Sequence, residues 1–101
     1  MKIMVVETNL KLINDITFTL NNYQPFWMVS AINSGKECLN IIKNDKSLDI
    51  IIIGIKLSDM SGFELTGYIR NDSDTPILIV SSDSNIRTLV RALLLCCQRG
   101  R

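Results

Sequence analysis

Glu7, Thr8, Gly54, Lys56 and Ser81 each stand where a strand pattern ends and a loop begins. Open α/β sheets gather their ligand sites at the carboxyl ends of strands, so chemistry is to be sought at these positions. Glu7 is the one carboxylate among the five. A single carboxylate seldom holds Mg²⁺ without a phosphate partner, so no metal is expected, with Glu7 the only candidate ligand. A solvated or salt-bridged Glu7 is expected instead. Lys56 lies two residues past Gly54 in the same loop and is read either as solvent-facing or as an ammonium that neutralises Glu7. Gly54 marks a place where the backbone needs room or a positive φ. Ser58 and Asp59 lie in the loop past the strand end and read as an exposed turn. Cys96 and Cys97 are adjacent, which strains a disulfide ring, and Cys97 continues an apolar stripe; a core role is expected. The chain has no histidine and its three cysteines, with Cys38, show no framework spacing, so neither a zinc site nor a disulfide scaffold is expected.

The elements that position these residues follow from periodicity. Lys2 to Val6 is a strand, and Ile13, Ile16 and Leu20 set a helix from about Asn9 to Asn22. Pro25 ends it, and Phe26 to Ala31 reads as a second strand, with Phe26 and Trp27 buried. Ser34 and Glu37 form a capping box for a helix reaching about Asn44. Asp49 to Ile55 is apolar on successive residues, as in a strand buried on both faces. Ser61 and Glu64 form a second capping box, opening a helix that ends near Asn71. Thr75 to Val80 is a fourth strand. Ile86, Leu89, Val90, Leu93 and Leu94 give a fourth helix its apolar stripe. Alternating strands and helices of this kind make a parallel sheet covered on both faces.

Composition narrows the functional classes. At 101 residues the chain is one domain, read as residues 1–101. A formal net charge of +1 leaves no electrostatic footprint for nucleic acid. No apolar run reaches membrane-spanning length, and no signal peptide is read at the start, so a cytoplasmic domain with no nucleic-acid or membrane partner is expected. Residues Val6 to Leu10 contain no glycine-rich phosphate cradle, which weighs against nucleotide binding.

The segment from Asp49 to Gly62 resembles the central strand and following loop of the receiver domain of bacterial two-component response regulators. Leu57, Met60 and Gly62 match that family's Leu-Pro-x-Met-x-Gly loop, with Ser58 in place of proline. Thr75-Pro76 before the fourth strand and Val90 to Leu93 in the fourth helix also match, in register along one βα pattern. The resemblance implies a flavodoxin-like (CheY-like) doubly wound parallel sheet. A complete domain of that family carries one more strand and helix, roughly 20–25 residues, so the fold is expected to be truncated after the fourth helix.

The resemblance also assigns the five residues. The family has an acidic pair after the first strand that helps hold Mg²⁺; here Glu7 keeps one carboxylate and Thr8 replaces the other. The family's phosphoacceptor aspartate stands at Gly54, which has no side chain and cannot form an acyl phosphate. Ser81 matches the hydroxyl that senses the phosphoryl group. The lysine and aromatic of the family's fifth strand have no counterpart in the sequence. The resemblance thus implies a degenerate, pseudo-receiver domain without enzymatic activity. It would signal through protein contacts with a partner or output domain and without aspartyl phosphorylation. The fourth strand as an exposed edge, and the stripe Ile86, Leu89, Val90, Leu93 and Leu94 as an interaction surface, imply a symmetric homodimer. A small-ligand domain using the same carboxyl-end crevice, or a non-functional fragment of a longer regulator, are the alternatives.

Overall fold

The structure, a computed structural model, describes residues 1–81. Seven elements follow in the order β1 (Lys2–Val6), α1 (Leu10–Tyr23), β2 (Met28–Ile32), α2 (Gly35–Asn44), β3 (Ile50–Gly54), α3 (Gly62–Asp72) and β4 (Ile77–Val80). The four strands form one parallel sheet in the order β2-β1-β3-β4. The reversal of direction across β1 and β3 is the switch point at which such sheets open a crevice.

Side chains alternate across the sheet with period two, and each face finds its own helices. Ile3, Val5, Ile50 and Ile52 point to one face, where Leu12, Ile16 and Leu20 of α1 cover them. Met4, Val6, Ile51 and Ile53 point to the other, under Cys38 and Ile42 of α2 and Leu65 and Ile69 of α3. Every residue of β3 is buried, as its unbroken apolar run requires. Burial also pushes the Cys38 thiol up to about 11, leaving it an inert core side chain.

The helices begin where short polar residues cap them. Asn9 accepts the Leu12 N–H at 3.1 Å and opens α1. The Ser61 capping box is complete: its hydroxyl accepts the Glu64 N–H and Glu64 accepts the Ser61 N–H, both at 3.0 Å. At α2 only half of the expected box forms. Ser34 accepts the Glu37 N–H, and the next free N–H groups of the helix, those of Gly35 and Lys36, are taken by a carboxylate from another loop, that of Asp59.

The second strand differs from its expected bounds. Pro25 and Phe26 form a turn, in which the Trp27 N–H bonds back to the Gln24 carbonyl, and pairing with β1 starts only at Met28. Phe26 is therefore 89% exposed instead of buried. Trp27 is half-buried against the α1 face and stacks at a tilt on Tyr23. The fourth helix, with Ile86, Leu89, Val90, Leu93 and Leu94, lies outside the described residues, as do Cys96 and Cys97.

Candidate functional site

The register of the sheet builds the site. Val6 pairs with Ile53, so the residue after β1, Glu7, comes level with Gly54 at the end of β3, and Gly54 pairs with Val80 of β4. The ends of three strands thus bring Glu7, Thr8, Gly54, Lys56 and Ser81 together around one crevice. Its cavity, of about 360 Å³, is lined by Glu7, Thr8, Asn9, Lys56 and Ser81 among others.

Glu7 is buried and hydrogen-bonded, and it makes no salt bridge among the described residues. It is 7% exposed. Its Oε2 accepts the Thr8 N–H at 2.9 Å and the Asn9 N–H at 2.8 Å, the donors that enter α1. Anionic oxygen at the amino end of a helix is favoured by the free N–H groups and the helix dipole. Its other oxygen, Oε1, lies beside Gly54. A Cβ built on Gly54 would come within 2.0 Å of Glu7 Oε1 and 2.8 Å of its carboxyl carbon. Gly54 does not have a positive φ. The glycine is there for room, and Glu7 fills that room.

Lys56 does not neutralise Glu7. Its side chain is exposed, and the ion pairs among the described residues are Lys2–Asp45 and Lys11–Asp15. The reason is local. Two backbone N–H groups, already held by the chain, bond Glu7 Oε2, whereas an ammonium would need a second long side chain held in one place. Lys56 contributes its backbone instead: its carbonyl accepts the Thr8 hydroxyl at 3.4 Å, and it bridges to Ser61 across the loop.

The loop past β3 is tied down on both sides. The Gly62 N–H bonds to the Ile55 carbonyl at 2.7 Å, and a Cβ on Gly62 would meet the Gly54 carbonyl oxygen at 2.1 Å. Ser58 donates its hydroxyl to the Asn33 carbonyl at 3.0 Å. Asp59 accepts the Gly35 N–H at 2.9 Å and the Lys36 N–H at 3.0 Å, with the Ser34 hydroxyl at 3.3 Å. The Gly35 and Lys36 N–H groups hold the Asp59 carboxyl below the usual carboxylate range. Ser58 and Asp59 are exposed, as the turn reading expects, and they also tie this loop to the start of α2.

Among the described residues the crevice is poor in the anionic oxygen that Mg²⁺ seeks. One carboxylate faces the crevice, one of its oxygens is taken by two N–H groups, and Thr8 offers only a neutral hydroxyl. Among the described residues no three Asp, Glu, Cys or His side chains converge as metal ligands. Two contributions to the site escaped the sequence reading. Asn9 supplies a donor to Glu7, and its place before an apolar helical run was a legible cap signal. Asp59 acts 24 residues from its partner Gly35, where no local pattern points.

Comparison with known proteins agrees with the fold. A family model described as the response regulator receiver domain matches residues 3–96. The chain is 25% identical over 95 residues to a protein-glutamate methylesterase/protein-glutamine glutaminase of Paramagnetospirillum magneticum, covering 91% of this chain and 27% of that protein. It is 26% identical over 93 residues to the heme response regulator HssR of Staphylococcus haemolyticus, covering 92% of this chain and 40% of that one. The chain thus spans well under half the length of either relative. Among solved structures, the chemotaxis response regulator CheY4 of Vibrio cholerae superposes with a TM-score of 0.81 at 21% identity, covering 94% of this chain and 97% of that one. The receiver domain of Francisella response regulator 1452 gives 0.83 at 20% identity over 99% and 98%. A response regulator, TrrA, solved in complex with the histidine kinase ThkA gives 0.72 at 22% identity over 83% and 71%. A doubly wound parallel sheet, a crevice at its carboxyl ends and a family match over nearly the whole chain lead to one conclusion: this chain belongs to the response regulator receiver domain family.

Proposed function

We propose that this receiver domain takes part in two-component signalling without aspartyl phosphorylation, and that it works by protein–protein contact. The observation that carries this reading is the end of β3. Gly54 offers no nucleophile, and the space a side chain would need is filled by the Glu7 carboxylate. A domain so built performs no reaction of its own, needs no Mg²⁺ and works in the cytoplasm. Its conformational state is set by binding, as a population shift toward whichever state the partner prefers. The TrrA structure, with a histidine kinase as its partner, supports a protein partner for this fold. The free edge of β4 among the described residues supports self-association as a homodimer.

The test is spectroscopic. Beryllofluoride with Mg²⁺, a phosphoryl mimic, is added to the labelled domain. The expected result is no shift at Glu7, Gly54 or Ser81. Saturable shifts clustered at those residues would overturn the reading. The crevice volume also falls in the range of small-ligand sites, which favours a ligand-binding role as the second reading. Saturable shifts at Glu7, Lys56 and Ser81 on adding small metabolites, with beryllofluoride silent, would favour that role instead.

A further inference from the structure

We infer that Glu7 is the domain's own occupant of the place a side chain at position 54 would fill, and that it locks the amino end of α1 to the end of β3. Two independent contacts point to this. Oε2 is pinned by the Thr8 and Asn9 N–H groups, and Oε1 lies 2.0 Å from where a Cβ on Gly54 would stand. The carboxylate is therefore fixed from the α1 side and fitted from the β3 side. Residue 7 and residue 54 are complementary in size: the carboxylate of one occupies the space a side chain at the other would need.

The arrangement hides a carboxylate-binding pocket. Take away the Glu7 side chain, and two backbone donors would face a gap over Gly54, with nothing but glycine hydrogen opposite. That gap is shaped for a small planar carboxylate. On the phosphorylation-independent reading, from which this consequence follows, the lock holds the crevice in one state and leaves regulation to partners bound elsewhere. A side chain introduced at position 54 must first displace the Glu7 carboxylate.

The experiment uses formate as the probe, with chloride at equal ionic strength as the control. In Glu7→Ala the Thr8 and Asn9 amide resonances are expected to move. Formate is expected to return them toward their native positions in a saturable way, while leaving the native chain unaffected. In Glu7→Ala/Gly54→Ala the added Cβ fills the gap, and formate is expected to have no effect. Glu7→Ala amides indifferent to formate, or a double variant that responds as well as the single one, would overturn the lock. Unfolding temperature gives a second reading. Gly54→Ala is expected to lower it by several degrees with Glu7 present and by much less in the Glu7→Ala background; equal losses would overturn the proposal. If Glu7→Ala does not fold, Glu7→Asp replaces it in this comparison, and an undiminished Gly54→Ala loss in its background counts against the lock. None of these measurements involves a phosphoryl group or a metal. A beryllofluoride response of the native chain would sink the proposed function while leaving the lock standing, and the formate result separates the reverse case.

Discussion

The first residue of α3 rests directly on the last residue of β3: a Cβ on Gly62 would approach the Gly54 carbonyl oxygen to 2.1 Å. The obstacle is backbone and cannot rotate away. Alanine is the better helix former, so propensity alone would favour the substitution. Overpacking wins here. Gly62→Ala is expected to destabilise the domain by about 1–3 kcal/mol, read as a lower urea midpoint at unchanged slope. A neutral or stabilising result would show that the loop can back away from β3.

Asp59 ties the loop after β3 to the amino end of α2, and its carboxyl is held below the ordinary range by the Gly35 and Lys36 N–H groups. A depressed folded-state value means stability that is present above the unfolded value, about 3.9, and lost as pH falls through the folded one. Asp59→Asn is therefore expected to be less stable at neutral pH and to lose less stability between pH 5 and pH 2 than the native chain. Faster hydrogen exchange at Gly35 and Lys36 in that variant checks that the helix end is where the loss arises.

Gly54→Asp restores the aspartate of the family pattern but is expected to restore no response to beryllofluoride. The new side chain must first displace Glu7, and the two carboxylates then share one crevice. Like charges at close range raise the pKa of one of them in the folded state. For an acid, a raised folded-state value lowers stability at pH above it. The variant's deficit against the native chain is thus expected to be larger at pH 8 than at pH 5. An equal deficit at both would mean the carboxylates are kept apart.

The outer edge of β4 is unpaired among the described residues, with Ile77, Leu78 and Ile79 only half-buried. An uncovered apolar edge is a template for another chain. A symmetric dimer is expected by light scattering at tens of micromolar, through this edge or through the sequence stripe that includes Leu94. A stable monomer would refute it. Where the stripe carries the contact, Leu94→Asp is expected to abolish it.

What the sequence determined by itself were the features carried by local pattern. The unbroken apolar run ending at Gly54 marks a strand buried on both faces, and the Ser61–Glu64 spacing marks a helix start; both need only neighbours within a few residues. That position 54 carries no nucleophile was legible too, since glycine brings no reactive group to any fold. Local pattern failed where long-range geometry competes with it. The Ser34–Glu37 spacing promised a full capping box, but only the Ser34 half forms, and the Gly35 and Lys36 N–H groups go to Asp59, 24 residues from Gly35. Phe26 looked like strand, but Pro25 started a turn and pairing with β1 began at Met28. Above all, only the β1–β3 register, Val6 against Ile53, sets Glu7 beside Gly54. Backbone donors then reached Glu7 before the Lys56 ammonium could, because a preorganised amide close by outcompetes a flexible charge on an exposed loop.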